Sequence, residues 1–131
     1  MNTLQLWHDI LREKDMSRLD EILAEDCVFV SPVVHTPQKG RELTKLYLAG
    51  AAQVLNDGFT YVKEVVTEQH AVLEFTCEID GIHVNGVDIM TFDADGRITE
   101  FKVMVRPLKA INLLHVRMGE MLQQLSAKGA A

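Results

Sequence analysis

The sequence predicts an α+β domain in which a curled antiparallel sheet wraps around N-terminal helices and a C-terminal helix closes the chain. Three observations carry this. Apolar residues recur at helical spacing up to about residue 56. They then alternate through four segments between Phe59 and Arg106, and return to helical spacing from Leu108. Turn signals fall between the alternating segments and set them out as a meander, while the helices stay outside it. A meander of this length twists and curls, and a curled sheet with helices on one face encloses a cone whose mouth can hold a small molecule.

Each element has its own signature. Leu4, Trp7 and Leu11 define a first helix, and Leu19, Ile22 and Leu23 extend the helical spacing past a break near Asp15–Met16. Ser17 and Asp20 resemble a capping box, so a second helix is expected there. Cys27 to Val30 reads as a strand that Pro32 stops, followed by a loop from Val33 to Gly40. Leu43, Leu46, Tyr47, Ala51, Val54 and Leu55 mark a helix over residues 41–56, ended by Asp57–Gly58.

Phe59 to Val66 is the first meander strand and Ala71 to Ile79 the second, joined to the third by a hairpin turn at Asp80–Gly81. His83 to Phe92 is the third strand. Asn85–Gly86 is a competing turn signal, but a turn there leaves Val87 to Phe92 a stub, so Gly86 is placed in mid-strand. Asp93-Ala94-Asp95-Gly96 turns into a fourth strand, Ile98 to Arg106, which Pro107 ends. Leu108, Ile111, Leu114, Met118, Leu122 and Leu125 give the closing amphipathic helix, and Ser126 to Ala131 read as a frayed tail.

Size and composition narrow the function classes. The 131 residues make one domain, 47% apolar and 24% charged, with thirteen basic against nineteen acidic residues and a formal charge of −6. That balance argues against nucleic acid and anionic membrane surfaces as partners. Cys27 and Cys77 make no disulfide framework, and no metal-ligand spacing is present. No apolar run spans a bilayer, and His8, Asp9, Arg12 and Glu13 interrupt any secretory signal. A cytoplasmic protein without metal or cofactor is the expectation. Nucleotide-binding, zinc-protease and serine-hydrolase motifs are all missing.

One residue stands out of pattern. Asp88 lies at the centre of the strand Val84–Phe92, sharing a face with Gly86, Met90 and Phe92, while Val87, Ile89 and Thr91 occupy the other. A carboxylate between two apolar faces loses hydration, its pKa rises, and it becomes able to exchange protons near neutral pH. The alternative is that Asp88 is bonded to backbone or arginine, or meets solvent at a sheet end. As an acid/base group it needs a pocket. Trp7, Leu11, Tyr47, Phe59, Met90 and Phe101 are the expected walls, with Gly86 leaving room for a ligand, Ser31 as polar lining and His35 as a weaker catalytic candidate. His8, His70 and His115 read as surface or satisfied histidines.

Two stretches then suggest a relationship: Asp26-Cys27-Val28-Phe29-Val30-Ser31-Pro32 followed by Gly40, and Gly86 through Phe92 with the Asp93-Ala94-Asp95-Gly96-Arg97-Ile98 turn. In this order the chain resembles the nuclear transport factor 2-like superfamily, in its SnoaL-like and ketosteroid isomerase-like branch. The resemblance implies the cystatin-like cone. It places Asp88 where ketosteroid isomerases hold a protonated acid that donates to a developing oxyanion, and Trp7 where they hold a tyrosine. Their base is an aspartate where this chain has Ser31, which argues against steroid isomerisation. Limonene epoxide hydrolases pair an arginine with the aspartate, and Gly86 stands in the arginine's place. SnoaL-like cyclases use an aspartate like Asp88, with His35 able to assist.

Two functions therefore stand. One is a cofactor-independent acid/base enzyme of isomerase, cyclase or hydratase type acting on a small hydrophobic molecule. The other is a non-catalytic binding or dimerisation module. A homodimer through the outer sheet face is expected, because Val87, Ile89 and Met104 make that face too apolar for water.

Overall fold

The computed structural model describes residues 2–129. Helix α1 (Thr3–Glu13) leads through a short 3-10 turn (Met16–Glu21) into strand β1 (Leu23–Val30). Strand β2 (Gln38–Lys39) and helix α2 (Arg41–Val54) follow. The meander is β3 (Asp57–Val66), β4 (His70–Ile79), β5 (Ile82–Phe92) and β6 (Ile98–Arg106), and helix α3 spans Leu108–Gly129. One six-stranded sheet results, in the order β2-β1-β6-β5-β4-β3. The meander pairs are antiparallel. β1 adds to β6 in parallel, so the first strand lies beside the last.

Several local expectations are corrected. The second helix is only a six-residue 3-10 turn, and the strand starts at Leu23 rather than Cys27. Leu19, Ile22 and Leu23 have helical spacing, yet all three are fully buried where the chain enters the sheet. The capping oxygen belongs to Asp15, which accepts from the Ser17 N–H, and not to Ser17. The loop after Pro32 contains β2, two residues paired with Val28 and Phe29 and too short to show a period. Helix α3 continues past Leu125 through Gly129, while Ala130 and Ala131 of the expected tail lie outside the described residues.

Turn chemistry explains the meander. Asp80 and Gly81 both take positive φ, 50° and 79°, as a two-residue hairpin requires. Gly96 has φ 82° in the next turn. β5 runs unbroken through Asn85–Gly86.

Burial alternates along β4, with Ala71, Leu73, Phe75, Cys77 and Ile79 inward, and along β5 with Val84, Gly86, Asp88 and Met90 inward. Helix α1 enters the concave side and buries Trp7 and Ile10 there. At roughly 1.5–3 kcal/mol for each large apolar side chain removed from water, these two anchors hold the helix to the sheet. The Thr3 hydroxyl, which donates to the Gly96 carbonyl, ties its start to the β5–β6 turn. α3 packs on α2, where Gly50 lies under Met118, Met121 and Leu122. Among the described residues, no helix is long and apolar enough to cross a membrane.

Candidate functional site

β5 carries Asp88 inward at mid-strand, opposite Leu73 of β4 and Val103 of β6. The residue is 5% exposed. Its Oδ2 accepts the hydroxyl proton of Tyr61 at 2.5 Å. Tyr61 Oη in turn accepts the indole N–H of Trp7 at 3.0 Å. A chain of hydrogen bonds therefore runs from α1 through β3 to β5. Among the described residues no cation reaches Asp88 and Oδ1 has no protein partner.

The electrostatics follow from this setting. Burial strips the Asp88 carboxylate of water and raises its pKa to about 7, against which the Tyr61 hydrogen bond works in the opposite direction. Burial also lifts the Tyr61 phenol well above its ordinary value, and the Asp88 charge adds to that. Tyr61 thus remains a donor across the neutral range, while Asp88 exchanges its proton within it.

Beside this chain opens a cavity of about 920 Å³. α1 contributes Trp7, His8, Leu11 and Arg12, with Lys14 just past its end, and α2 contributes Leu48 and its last turns. β3 gives Phe59 and Tyr61, the inner sheet gives Asp88, Phe101 and Val103, and α3 gives Met121. The walls are mostly apolar, and among their polar groups Tyr61 touches two others, its hydroxyl on Asp88 and its ring against His8. The wall is closed by aromatic packing: Trp7 meets Phe101 edge-on with ring centroids 5.1 Å apart, and Phe59 stands edge-on to Tyr61 at 5.0 Å.

Of the residues singled out from sequence, Trp7, Leu11, Phe59, Asp88 and Phe101 meet around this cavity. Four others lie elsewhere. Tyr47 stacks on Phe29, centroids 5.3 Å apart. Met90 is fully buried in the core. His35 is exposed in the loop after Pro32. Ser31 lines a smaller hollow with Pro32 and the Lys102–Val105 segment, and its Oγ accepts the backbone N–H groups of Val33 and Val34 at 3.0 and 3.2 Å. Gly86 also has a different role from the one expected. A Cβ there would stand 2.4 Å from the Phe75 ring and 2.8 Å from the Met104 carbonyl, so its missing side chain makes room for Phe75 and not for a ligand.

Tyr61 and His8 were not legible as site residues. Tyr61 shares the parity of Phe59 and reads as one more aromatic core position. The available signal was a phenol in a strand that must bury one face, since a buried Tyr hydroxyl seeks a partner.

A family model described as the SnoaL-like domain matches residues 4–101. The structure is similar to that of a steroid delta-isomerase from Pseudomonas aeruginosa, at 34% identity and TM-score 0.89, covering 98% of this chain and 93% of that one. It is also similar to an uncharacterized bacterial protein with a cystatin-like fold from Silicibacter pomeroyi, at 28% identity and TM-score 0.85, covering 91% and 84%. A putative polyketide cyclase from Sinorhizobium meliloti shares the fold at 17% identity and TM-score 0.63, covering 79% and 94%. No functionally curated protein matches in sequence.

Proposed function

The chain belongs to the SnoaL-like domain family, and from that premise we propose that its cavity binds a small hydrophobic carbonyl compound and performs cofactor-independent acid/base chemistry on it. One observation carries this reading. Asp88 is a buried carboxyl group beside an open cavity, with one oxygen held by Tyr61 and the other unspent. In its acid form it donates to a carbonyl oxygen and stabilises the negative charge that grows there as an enol forms. The apolar walls supply the binding energy and exclude the water that would weaken that bond.

The experiment uses 2-naphthol, a planar phenol whose oxygen mimics an enolate, followed by its fluorescence. It should bind at pH 6, where both partners are neutral, and Asp88→Ala should weaken it about tenfold, since leaving the buried oxygen without its partner costs roughly 1–3 kcal/mol. Binding weakens above pH 7 as Asp88 loses the proton it donates. Affinity indifferent to Asp88→Ala would sink the reading.

A second reading has its own observation. The Ser31 hydroxyl is taken up by the turn, so that corner holds no base, as suits a module that binds without catalysis. Either way, we infer a homodimer through the outer sheet face. Val65, Val72, Ile89 and Lys102 lie in one row across it, and Lys63, Glu74, Val87 and Met104 in the next. Val65 and Met104 are 62% and 53% exposed, which a two-fold partner would cover. Light scattering at tens of micromolar should give the dimer mass, and Ile89→Asp should halve it by burying two unpaired charges. A monomer mass for the unaltered chain refutes the interface.

A further inference from the structure

A second pair of titratable groups touches the cavity wall. His8 of α1 follows Trp7 and lines the cavity. Its Nε2 lies 2.6 Å from Glu64 Oε1, with both side chains about one-third exposed. Its ring stands edge-on to Tyr61, centroids 5.6 Å apart. Tyr61 therefore links the two sites: its hydroxyl is on Asp88 and its ring is against His8. Arg12, one helical turn away, pairs with Asp9 and Glu13 instead.

The pair depends on an irregularity in β3. Tyr61 lies opposite Phe75, but Lys63 lies opposite Glu74 and Glu64 opposite Leu73, so β3 carries one extra residue at Val62. Leu73 and Phe75 are both fully buried on the concave face. The bulge therefore brings Tyr61 and Glu64, three residues apart, to the same face, where strict alternation would separate them. Bulges re-aim side chains in this way next to active sites. Without it, Glu64 would point outward with Glu74 and His8 would have no carboxylate.

We propose that His8, oriented by Glu64, is the general base of this cavity, acting on carbonyl compounds with an acidic C–H next to the carbonyl. This rests on the carbonyl-binding reading of Asp88. A carboxylate at 2.6 Å holds the imidazole proton on Nε2 and leaves the lone pair on Nδ1, which has no protein partner among the described residues. Nδ1 takes the proton from the carbon, and the C–H electron pair becomes the new C=C bond. The carbonyl π pair moves to oxygen, which the Asp88 carboxyl group holds by its hydrogen bond. The imidazolium faces the Glu64 carboxylate, and returning the proton to the same or a conjugated carbon closes the cycle with nothing oxidised or reduced. This base stands at a different corner of the molecule from Ser31.

The test is deuterium uptake from D2O into 2-tetralone, a ketone with acidic α-hydrogens, followed by mass spectrometry with the full chain. The protein should accelerate exchange over buffer. His8→Gln should remove about 100-fold or more of that acceleration and Glu64→Gln roughly tenfold. Glu64→Gln, whose side chain does not line the cavity, should bind 2-naphthol within twofold of the parent, and both variants should keep the parent's circular dichroism spectrum, which reports an intact fold. Glu64 is exposed, so its variant keeps the test open if His8→Gln misfolds. Naphthol binding without exchange, or exchange indifferent to both substitutions, overturns the base alone. Failure to bind naphthol overturns the carbonyl-binding reading and the base with it.

Discussion

Asp88 and Ser31 are two polar residues that the sequence singles out, and the structure uses them differently. Asp88 on β5 is almost fully buried, makes one hydrogen bond and keeps one oxygen toward a cavity. Ser31 at the end of β1 is half-buried, and its oxygen accepts two backbone N–H groups. Asp88 costs folding energy and retains unspent bonding capacity. Ser31 spends its capacity on the turn and contributes to stability. Burial alone does not separate them. The difference lies in whether the polar atoms are used up by the fold.

The largest effect expected from this contrast is the pH dependence of stability. Asp88 has its ordinary pKa of 3.8 in the unfolded chain and about 7 in the native state, raised by burial. Between those values the native protein holds a proton that the unfolded chain has released. Stability therefore falls as pH rises through the window and levels off above it. The shift corresponds to a contribution on the order of 4 kcal/mol. Asp88→Asn should abolish that part of the slope and be the more stable protein at pH 8. Urea unfolding at pH 4.5 and pH 8 measures it, with other groups cancelling between the two proteins. Equal slopes, or a loss above ~2 kcal/mol in the variant at pH 8, would show a carboxylate that the fold needs.

How far the site was readable from sequence follows from the same contrast. Asp88 was visible because a carboxylate breaks an apolar alternation, and the four-strand meander was visible because its period and turns agree. Tyr61 was not, because a phenol in a strand looks like core until its partner is known. The His8–Glu64 contact was hidden by the bulge at Val62, which changes the face of every later residue in β3 and leaves no mark in residue types. The Leu19–Leu23 cluster failed for another reason. Helical spacing and a buried 3-10 turn entering a strand place the same apolar residues inward, and only tertiary packing distinguishes them.

A smaller effect is expected two residues along β5, where Gly86 lets the Phe75 ring lie against the strand. Gly86→Ala places a methyl group 2.4 Å from that ring and 2.8 Å from the Met104 carbonyl, and the carbonyl has little freedom to yield. Overpacking of this kind costs about 2–3 kcal/mol. Denaturant midpoints should fall with an unchanged slope. Adding Phe75→Leu should recover part of the loss, since the clash is shared between the two residues. A fully tolerated alanine would mean that the sheet relaxes there, and that Gly86 is not what fixes the wall behind Asp88.

The smallest effect belongs to Ser31. Ser31→Ala removes the acceptor for the Val33 and Val34 N–H groups at the corner after β1. Both lie near the surface, where water replaces the lost oxygen, so the cost should be only about 0.5–1 kcal/mol. Ser31→Asp keeps an acceptor at the same corner and should restore most of that stability. Neither substitution should alter 2-naphthol affinity, because Ser31 faces the small hollow by Lys102 and not the cavity at Asp88. Thermal midpoints and a naphthol titration on both variants measure the two quantities together. Should Ser31→Ala weaken naphthol binding while leaving the midpoint unmoved, the hydroxyl would belong to the binding site and the contrast between the two corners would collapse.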